Sequence, residues 1–284
     1  MVTCAVQGLA AGEGAYGFLT GVKGRVLADL VVLVADDRLL LDLPAGSVGE
    51  VSDHILKYRI ADRVELEAVE TAVLRVAGPD AGRGLASLVG RLEGGLPAAP
   101  WGHRGVEIAG VRARLVRRGN VPVDAYDLRL APADLPAVRD ALAAAGAAAA
   151  DAAAWEALRV AAGIPRFGLD FGRDHFPQET GLGEAGVAYD KGCYLGQEVV
   201  ARIHYRGGVN RRLCGLELDG ETVPVAGSEV LHDGRSAGKT GSALRVEAGV
   251  RALAILHQRV EAGAGVEVEG TGRARVVALP FGPR

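Results

Sequence analysis

The sequence predicts an α+β protein that ends in a small closed β barrel, and three observations carry that expectation. At 284 residues the chain is longer than a usual single domain, so two or three compact units, each with its own core, are expected. Forty-one glycines beside only 5% aromatic residues point to many tight turns and a core of Val, Leu and Ala. After Arg212 short apolar runs alternate with glycine turns at even spacing, the pattern of a barrel, whereas before it helical and strand periodicities are mixed.

Taken in order, residues 25–35 and 38–43 are Val/Leu-rich runs separated by Asp36-Asp37, which reads as a hairpin with a buried strand. Ser47 and Glu50 have capping-box spacing, and Val48, Val51, Ile55 and Tyr58 recur at helical intervals, predicting a helix over 48–58. Residues 64–69 and 72–77 read as strands, and Gly78-Pro79-Asp80 opens a helix with the stripe Leu85, Leu88, Val89 and Leu92. A loop over 94–105 follows, then strands at 106–117 and 124–130 and a helix carrying Leu135, Val138 and Leu142. In the alanine tract Gly146 and Asp151 stop one helix and start another over 152–162, since alanine is the best helix former. The barrel strands are expected at 213–218, 228–232, 235–243, 251–257, 265–269 and 273–279.

Several functions are excluded or disfavoured. The formal charge of -3 supplies no global basic field for duplex binding. Three cysteines without a C-x-x-C pair match neither a disulfide framework nor a four-ligand zinc site, so free thiols and no metal are expected. No signal-peptide pattern or apolar run of membrane-spanning length is present, and a cytoplasmic protein is expected. Gly12-Glu13-Gly14-Ala15-Tyr16-Gly17 matches G-x-G-x-x-G, but a strand rather than a helix follows it, so no amides would be aimed at a pyrophosphate. The segment 234–240 resembles a phosphate loop with one residue too few between its glycines, and a barrel turn is expected there.

Tyr189-Asp190-Lys191-Gly192-Cys193-Tyr194-Leu195-Gly196-Gln197-Glu198 packs an ammonium, a thiol, two phenols, an amide and a carboxylate between glycines. Glycine at 192 would let Lys191 and Cys193 approach a ligand, and a neighbouring cation raises the thiolate fraction of a cysteine. Cys193 is then either a reactive thiol or a small buried hydrophobe. Lys191, Arg202, Arg206, Arg211 and Arg212 outnumber Asp190 and Glu198 by three charges in a net-negative chain. That strip is either an attractor for an anionic ligand or a solvated strand face.

The run Lys191-Gly192-Cys193-Tyr194-x-Gly196-Gln197-Glu198 with Ala201-Arg202 resembles the signature of YgfZ-like folate-binding proteins, relatives of the glycine cleavage T-protein, an aminomethyltransferase. The resemblance extends through Trp155-Glu156-x-Leu158-Arg159, Pro177-x-Glu179-x-Gly181-Leu182, Gly78-Pro79-Asp80-Ala81, Lys23-Gly24-Arg25-Val26-x-Ala28-Asp29 and Leu279-Pro280-Phe281. It implies a three-domain cloverleaf with two ferredoxin-like α+β domains and a C-terminal β barrel. In that scheme residues 1–59 and 151–210 form the first domain, its N-terminus shortened, 60–150 the inserted one and 211–284 the barrel. It also implies a tetrahydrofolate or folate-derivative cofactor. Lys191 and Cys193 would be the functional pair, with Asp29 as the acid/base candidate. Trp155 would lie against the pterin or else anchor a helix start, and an aromatic plane suits that ring. Arg159, Tyr189, Gly192, Gln197, Glu198, Arg202 and Arg206 complete the expected cofactor-binding set, arginine being suited to the carboxylates of folate.

Two departures from the aminomethyltransferase pattern bear on mechanism. Where the transferases carry paired aspartates this chain has Ala28-Asp29, and where their helix reads Arg-Leu-Glu-Ala-Gly it has Arg159-Val160-Ala161-Ala162-Gly163. Both remove a carboxylate and both point to the YgfZ branch, whose members are expected to be accessory factors for iron-sulfur enzymes, including those that modify tRNA, rather than standalone enzymes. The partners then expected are folate, iron-sulfur enzymes or assembly proteins, tRNA only indirectly, and no membrane. The rivals are a tetrahydrofolate-dependent aminomethyl transferase and an RNA- or protein-binding adaptor using the basic strip. The family's opening strand and helix have no counterpart before Val6, so a longer true N-terminus or a curtailed first domain is expected.

Overall fold

The computed structural model describes residues 1–59, 63–90, 92, 94–247 and 249–282. The fold is mixed α+β with a closed barrel in the C-terminal region, and the chain divides into two compact units: residues 1–3, 18–29 and 151–284 in one, residues 4–17 and 30–150 in the other.

In the first unit β8 (Arg211–Leu218), β9 (Glu229–His232), β10 (Arg235–Val246), β11 (Gly249–His257), β12 (Gly265–Val268) and β13 (Gly272–Val277) close in the order β10-β11-β8-β13-β12-β9. Alternate residues point inward, as the period of two demands: Leu216 and Leu218, Val250 to Leu256 in steps of two, Val266 and Val268, Ala274 and Val276 fill the interior. The phosphate-loop lookalike at 234–240 is the β9–β10 hairpin and the start of β10. Against the barrel lies α4 (Ala152–Ala161), whose cap Asp151 accepts a bond from the Ala154 amide at 2.9 Å. Its Val160 packs with Leu253 and Phe281.

In the second unit β4 (Ala72–Ala77), β5 (His103–Ile108), β6 (Val111–Arg117) and β7 (Ala125–Leu130) form an antiparallel sheet, ordered β4-β7-β6-β5. One face buries Leu74, Val106, Ile108, Leu115, Tyr126 and Leu128 against α2 (Ala81–Leu88) and α3 (Leu135–Ala144). On the other face the fully buried Asp127 holds Arg75 at 2.7 Å and Arg118 at 3.3 Å. A separate three-stranded sheet, not confined to the second unit, runs β1-β2-β3, with β1 Gly14–Thr20, β2 Val26–Val34 and β3 Leu39–Asp42, followed by α1 (Val48–Lys57).

Four local expectations are corrected. Ser47 makes no side-chain bond at the start of α1. Residues 64–69 form no strand. The run 106–117 is two strands, because Ala109 and Gly110 both take positive φ (52° and 76°) and close a two-residue hairpin; an alanine there conceals the turn from a composition-based reading. The strand face imagined for the basic strip is replaced over much of its length by α6 (Gln197–Arg206).

Candidate functional site

The signature occupies the end of the loop between α5 (Gly183–Gly186) and α6 and continues into α6 from Gln197. Of the three cysteines, Cys4 and Cys214 are buried and Cys193 is exposed. The glycine the loop sterically requires is Gly196 rather than Gly192. Gly196 has φ +80° and lies so close to the turn at 21–24 that a Cβ would sit 2.6 Å from both the N and Cα of Gly24, whereas a Cβ on Gly192 would meet nothing within 4 Å. Thr20 fastens the same place, its hydroxyl donating to the Leu195 carbonyl at 2.6 Å.

Lys191 does not stand free beside the thiol: its ammonium donates to the Val2 carbonyl at 2.7 Å and lies 5.6 Å from the centre of the Tyr194 ring. Gln197 folds back through its amide to the Lys191 carbonyl at 3.3 Å. Tyr194 is buried, and burial together with the neighbouring Tyr189 pushes its phenol up to about 12, so it stays neutral. Its buried Oη has no hydrogen-bond partner among the described residues. Because an unsatisfied buried hydroxyl is destabilising, the Tyr194→Phe protein is expected to match or exceed the parent's thermal midpoint; a drop of several degrees in calorimetry would contradict that.

Tyr189 stacks on His204 with ring centres 3.7 Å apart, and its hydroxyl accepts from the Gln178 amide at 3.3 Å. Gln178 also donates to the Val200 carbonyl at 2.9 Å, fastening α6. Glu198, Arg202 and Arg206 project from α6 into solvent. At the other end of the strip Arg211 is paired with Glu179 at 3.0 Å and Asp174 at 3.3 Å, and Arg212 donates to the Val260 carbonyl at 2.9 Å. On β2, Ala28 is fully buried and Asp29 half-buried.

Trp155, half-buried, and Arg159, buried, lie on α4, which packs on β10 and β11. All five N–H groups of Arg159 are engaged within the protein. Nε and Nη2 reach Glu156 at 3.2 and 2.6 Å, Nη1 reaches the Ile164 carbonyl at 2.6 Å and Asp170 at 2.9 Å, and Nη2 also reaches Ser242 at 2.5 Å. Burial opposes ionisation of Glu156, but the hydrogen bond and charge of Arg159, helped by Arg166, prevail and hold its carboxyl below the usual glutamate range. A carboxyl whose folded pKa lies below its unfolded one contributes stability above the unfolded value and loses it as pH falls through the folded one. Glu156→Gln should therefore remove part of the acid sensitivity below about pH 4.3, seen as a flatter midpoint-versus-pH curve; an unchanged curve would contradict this.

Sequence reasoning missed Gly196 as the constrained glycine, and it missed Asp170, Ser242, Gln178 and the pairing of Tyr189 with His204. A glycine immediately before a helix could have signalled the first; nothing local signals the others, which meet across long separations. The dismissed Gly12-Glu13-Gly14 run lines a cavity of about 630 Å³ with residues 94–105, and a cavity of about 700 Å³ lies at the β12–β13 turn. Neither holds a signature residue. No group of His, Cys, Asp and Glu able to hold a metal occurs among the described residues, and no helix there is long and apolar enough to cross a membrane.

The sequence model of the GCVT N-terminal domain matches residues 1–191. An aminomethyltransferase of Thermus thermophilus is 31% identical over 288 residues, covering 97% of this chain and 78% of that protein. One of Rubrobacter xylanophilus is 28% identical, covering 99% and 76%. A chloroplastic protein of Arabidopsis thaliana is 26% identical over 245 residues, and the chain spans about half of its length, 55%. The crystal structure of glycine cleavage system aminomethyltransferase T from Bartonella henselae superposes with a TM-score of 0.84 at 20% identity, over 99% of this chain and 79% of that one, a likeness of fold.

Proposed function

The chain belongs to the GCVT N-terminal domain family, and from that membership we propose that it is a tetrahydrofolate-binding protein of the YgfZ branch that supports iron-sulfur enzymes, with Cys193 as its working thiol. The observation that carries the reading is the exposed Cys193, in the loop that closes on the 21–24 turn at Gly196. Thiol chemistry needs access, and a buried cysteine would be inert. The fully buried Ala28, where the transferases carry a carboxylate, favours an accessory role over turnover.

The residue types of the expected set suit a folate, which supports the reading. Trp155 offers a half-buried aromatic plane, and Gln197 and Glu198 supply amide and carboxylate groups matched to the donors and acceptors of a pterin. Arg159, with every donor engaged, holds the helix that bears Trp155. Lys191 orients the loop through the Val2 carbonyl. Bound tetrahydrofolate would supply a nitrogen nucleophile able to carry a one-carbon unit.

The test is a fluorescence titration with tetrahydrofolate under reducing conditions. Saturable quenching, lost in Trp155→Phe and retained in Cys193→Ala, is expected, and so is failure of Cys193→Ala to restore iron-sulfur enzyme activity in a strain lacking the protein. Full restoration by that variant would remove the thiol from the mechanism. The names of the Thermus and Rubrobacter relatives favour a second reading, an aminomethyl transferase in which Asp29 acts as the acid/base group. Methylene transfer by the purified protein, abolished in Asp29→Asn, would establish it.

A further inference from the structure

The basic strip legible in the sequence is not a strip in the folded protein. Arg211 is bound by Glu179 and Asp174, Arg212 donates to the Val260 carbonyl, and Lys191 donates to the Val2 carbonyl. Arg202 and Arg206 are left, exposed and without an ion pair among the described residues. Both flank Tyr205, which is 67% exposed although it is one of the chain's few aromatic residues. Arg202, Tyr205 and Arg206 stand at i, i+3 and i+4 and so share one face of α6.

Tyr205 is also held in place. Its ring meets His204 edge-on at 4.8 Å and Tyr189 at 6.1 Å, and those two rings are themselves stacked. A solvent-exposed tyrosine braced by two aromatic neighbours loses little conformational freedom on being covered, and Tyr and Arg are the residues that dominate interface energetics.

We infer that this face of α6, Arg202-Tyr205-Arg206, is a docking surface for an acidic segment of a partner protein. Charge complementarity selects the sign of the partner. Two free guanidinium groups are too few to track a phosphate backbone, whose recognition neutralises many phosphates at once. The surface lies on the helix that follows the Cys193 loop, so an occupant would be held on the element next to the thiol. The inference does not depend on folate binding.

Fluorescence anisotropy tests it. The probes are a fluorescein-labelled twelve-residue Glu/Asp peptide with one central Leu and a labelled twelve-nucleotide single-stranded RNA, both at low salt. The peptide is expected to bind, to weaken about tenfold or more in R202E/R206E with the thermal midpoint unchanged, and to weaken separately in Tyr205→Ala. A peptide that fails to bind, or that binds both variants as well as the parent, overturns the proposal. RNA that binds more tightly than the peptide, through the same residues, overturns it in favour of nucleic acid. Because folate quenching of Trp155 is read independently, loss of peptide binding with intact quenching separates this surface from the cofactor reading.

Discussion

The Asp170→Ala protein is expected to lose about 3–5 kcal/mol of stability, the cost of breaking a buried ion pair by removing one partner. Asp170 is 8% exposed and accepts from four donors: Arg159 Nη1 at 2.9 Å, the Arg166 amide at 2.7 Å, the Ser242 amide at 2.6 Å and the Ser242 hydroxyl at 3.0 Å. It ties α4, the loop after it and β10 into one piece, and Gly241 is bare because a Cβ there would strike the Asp170 side chain. Removing the carboxylate takes the acceptor from the two backbone amides and the Ser242 hydroxyl and leaves Arg159 Nη1 with the Ile164 carbonyl alone. Urea unfolding followed by circular dichroism measures the effect. Asp170→Asn, which keeps the shape and one acceptor oxygen, should fall between the two, and a loss below about 1 kcal/mol for the alanine variant would mean that the clasp does not organise this unit.

Gly196→Ala is the second large effect. A non-glycine residue in the left-handed region is disfavoured by about 1–2 kcal/mol, and the added methyl would meet the Gly24 backbone at 2.6 Å and approach the Gly21 carbonyl more closely still. Overpacking of that kind costs about 1–3 kcal/mol, and backbone cannot step aside as a flexible side chain can. The loop bearing Cys193 should shift as well, so the thiol's rate of reaction with a disulfide reagent should change along with the thermal midpoint. Gly192→Ala is the control: with open space around it, it should move stability by no more than about 0.5 kcal/mol. Equal behaviour of the two variants would show that the contact between Gly196 and the 21–24 turn does not hold the loop.

The C-terminal barrel was legible strand by strand because each strand is a short period-two run bounded by glycine turns, information carried locally. The helices at 48–57, 135–144 and 152–161 were legible for the same reason, their apolar stripes or capping residues lying within one element. The hairpin turn at Ala109-Gly110 was not, since alanine rarely takes positive φ and the single Gly110 beside it does not by itself mark a two-residue turn. The candidate site was legible as a set of residues but not as an arrangement. Lys191 and Cys193 are two apart in sequence, yet the ammonium turns to Val2, 189 positions away. Arg159 reads as a ligand-binding cation until Asp170 and Ser242, 11 and 83 residues distant, occupy it.

Periodicity and glycine spacing by themselves determined the α+β composition, the closed barrel and which residue types meet in the signature loop, because each depends on neighbours within a few positions. Which cations remain exposed, which glycine must be glycine and which thiol faces solvent were decided only by the tertiary structure. Those properties depend on the distance to atoms remote in sequence, and a charge has no fixed value to a ligand until its competitors inside the protein are in place.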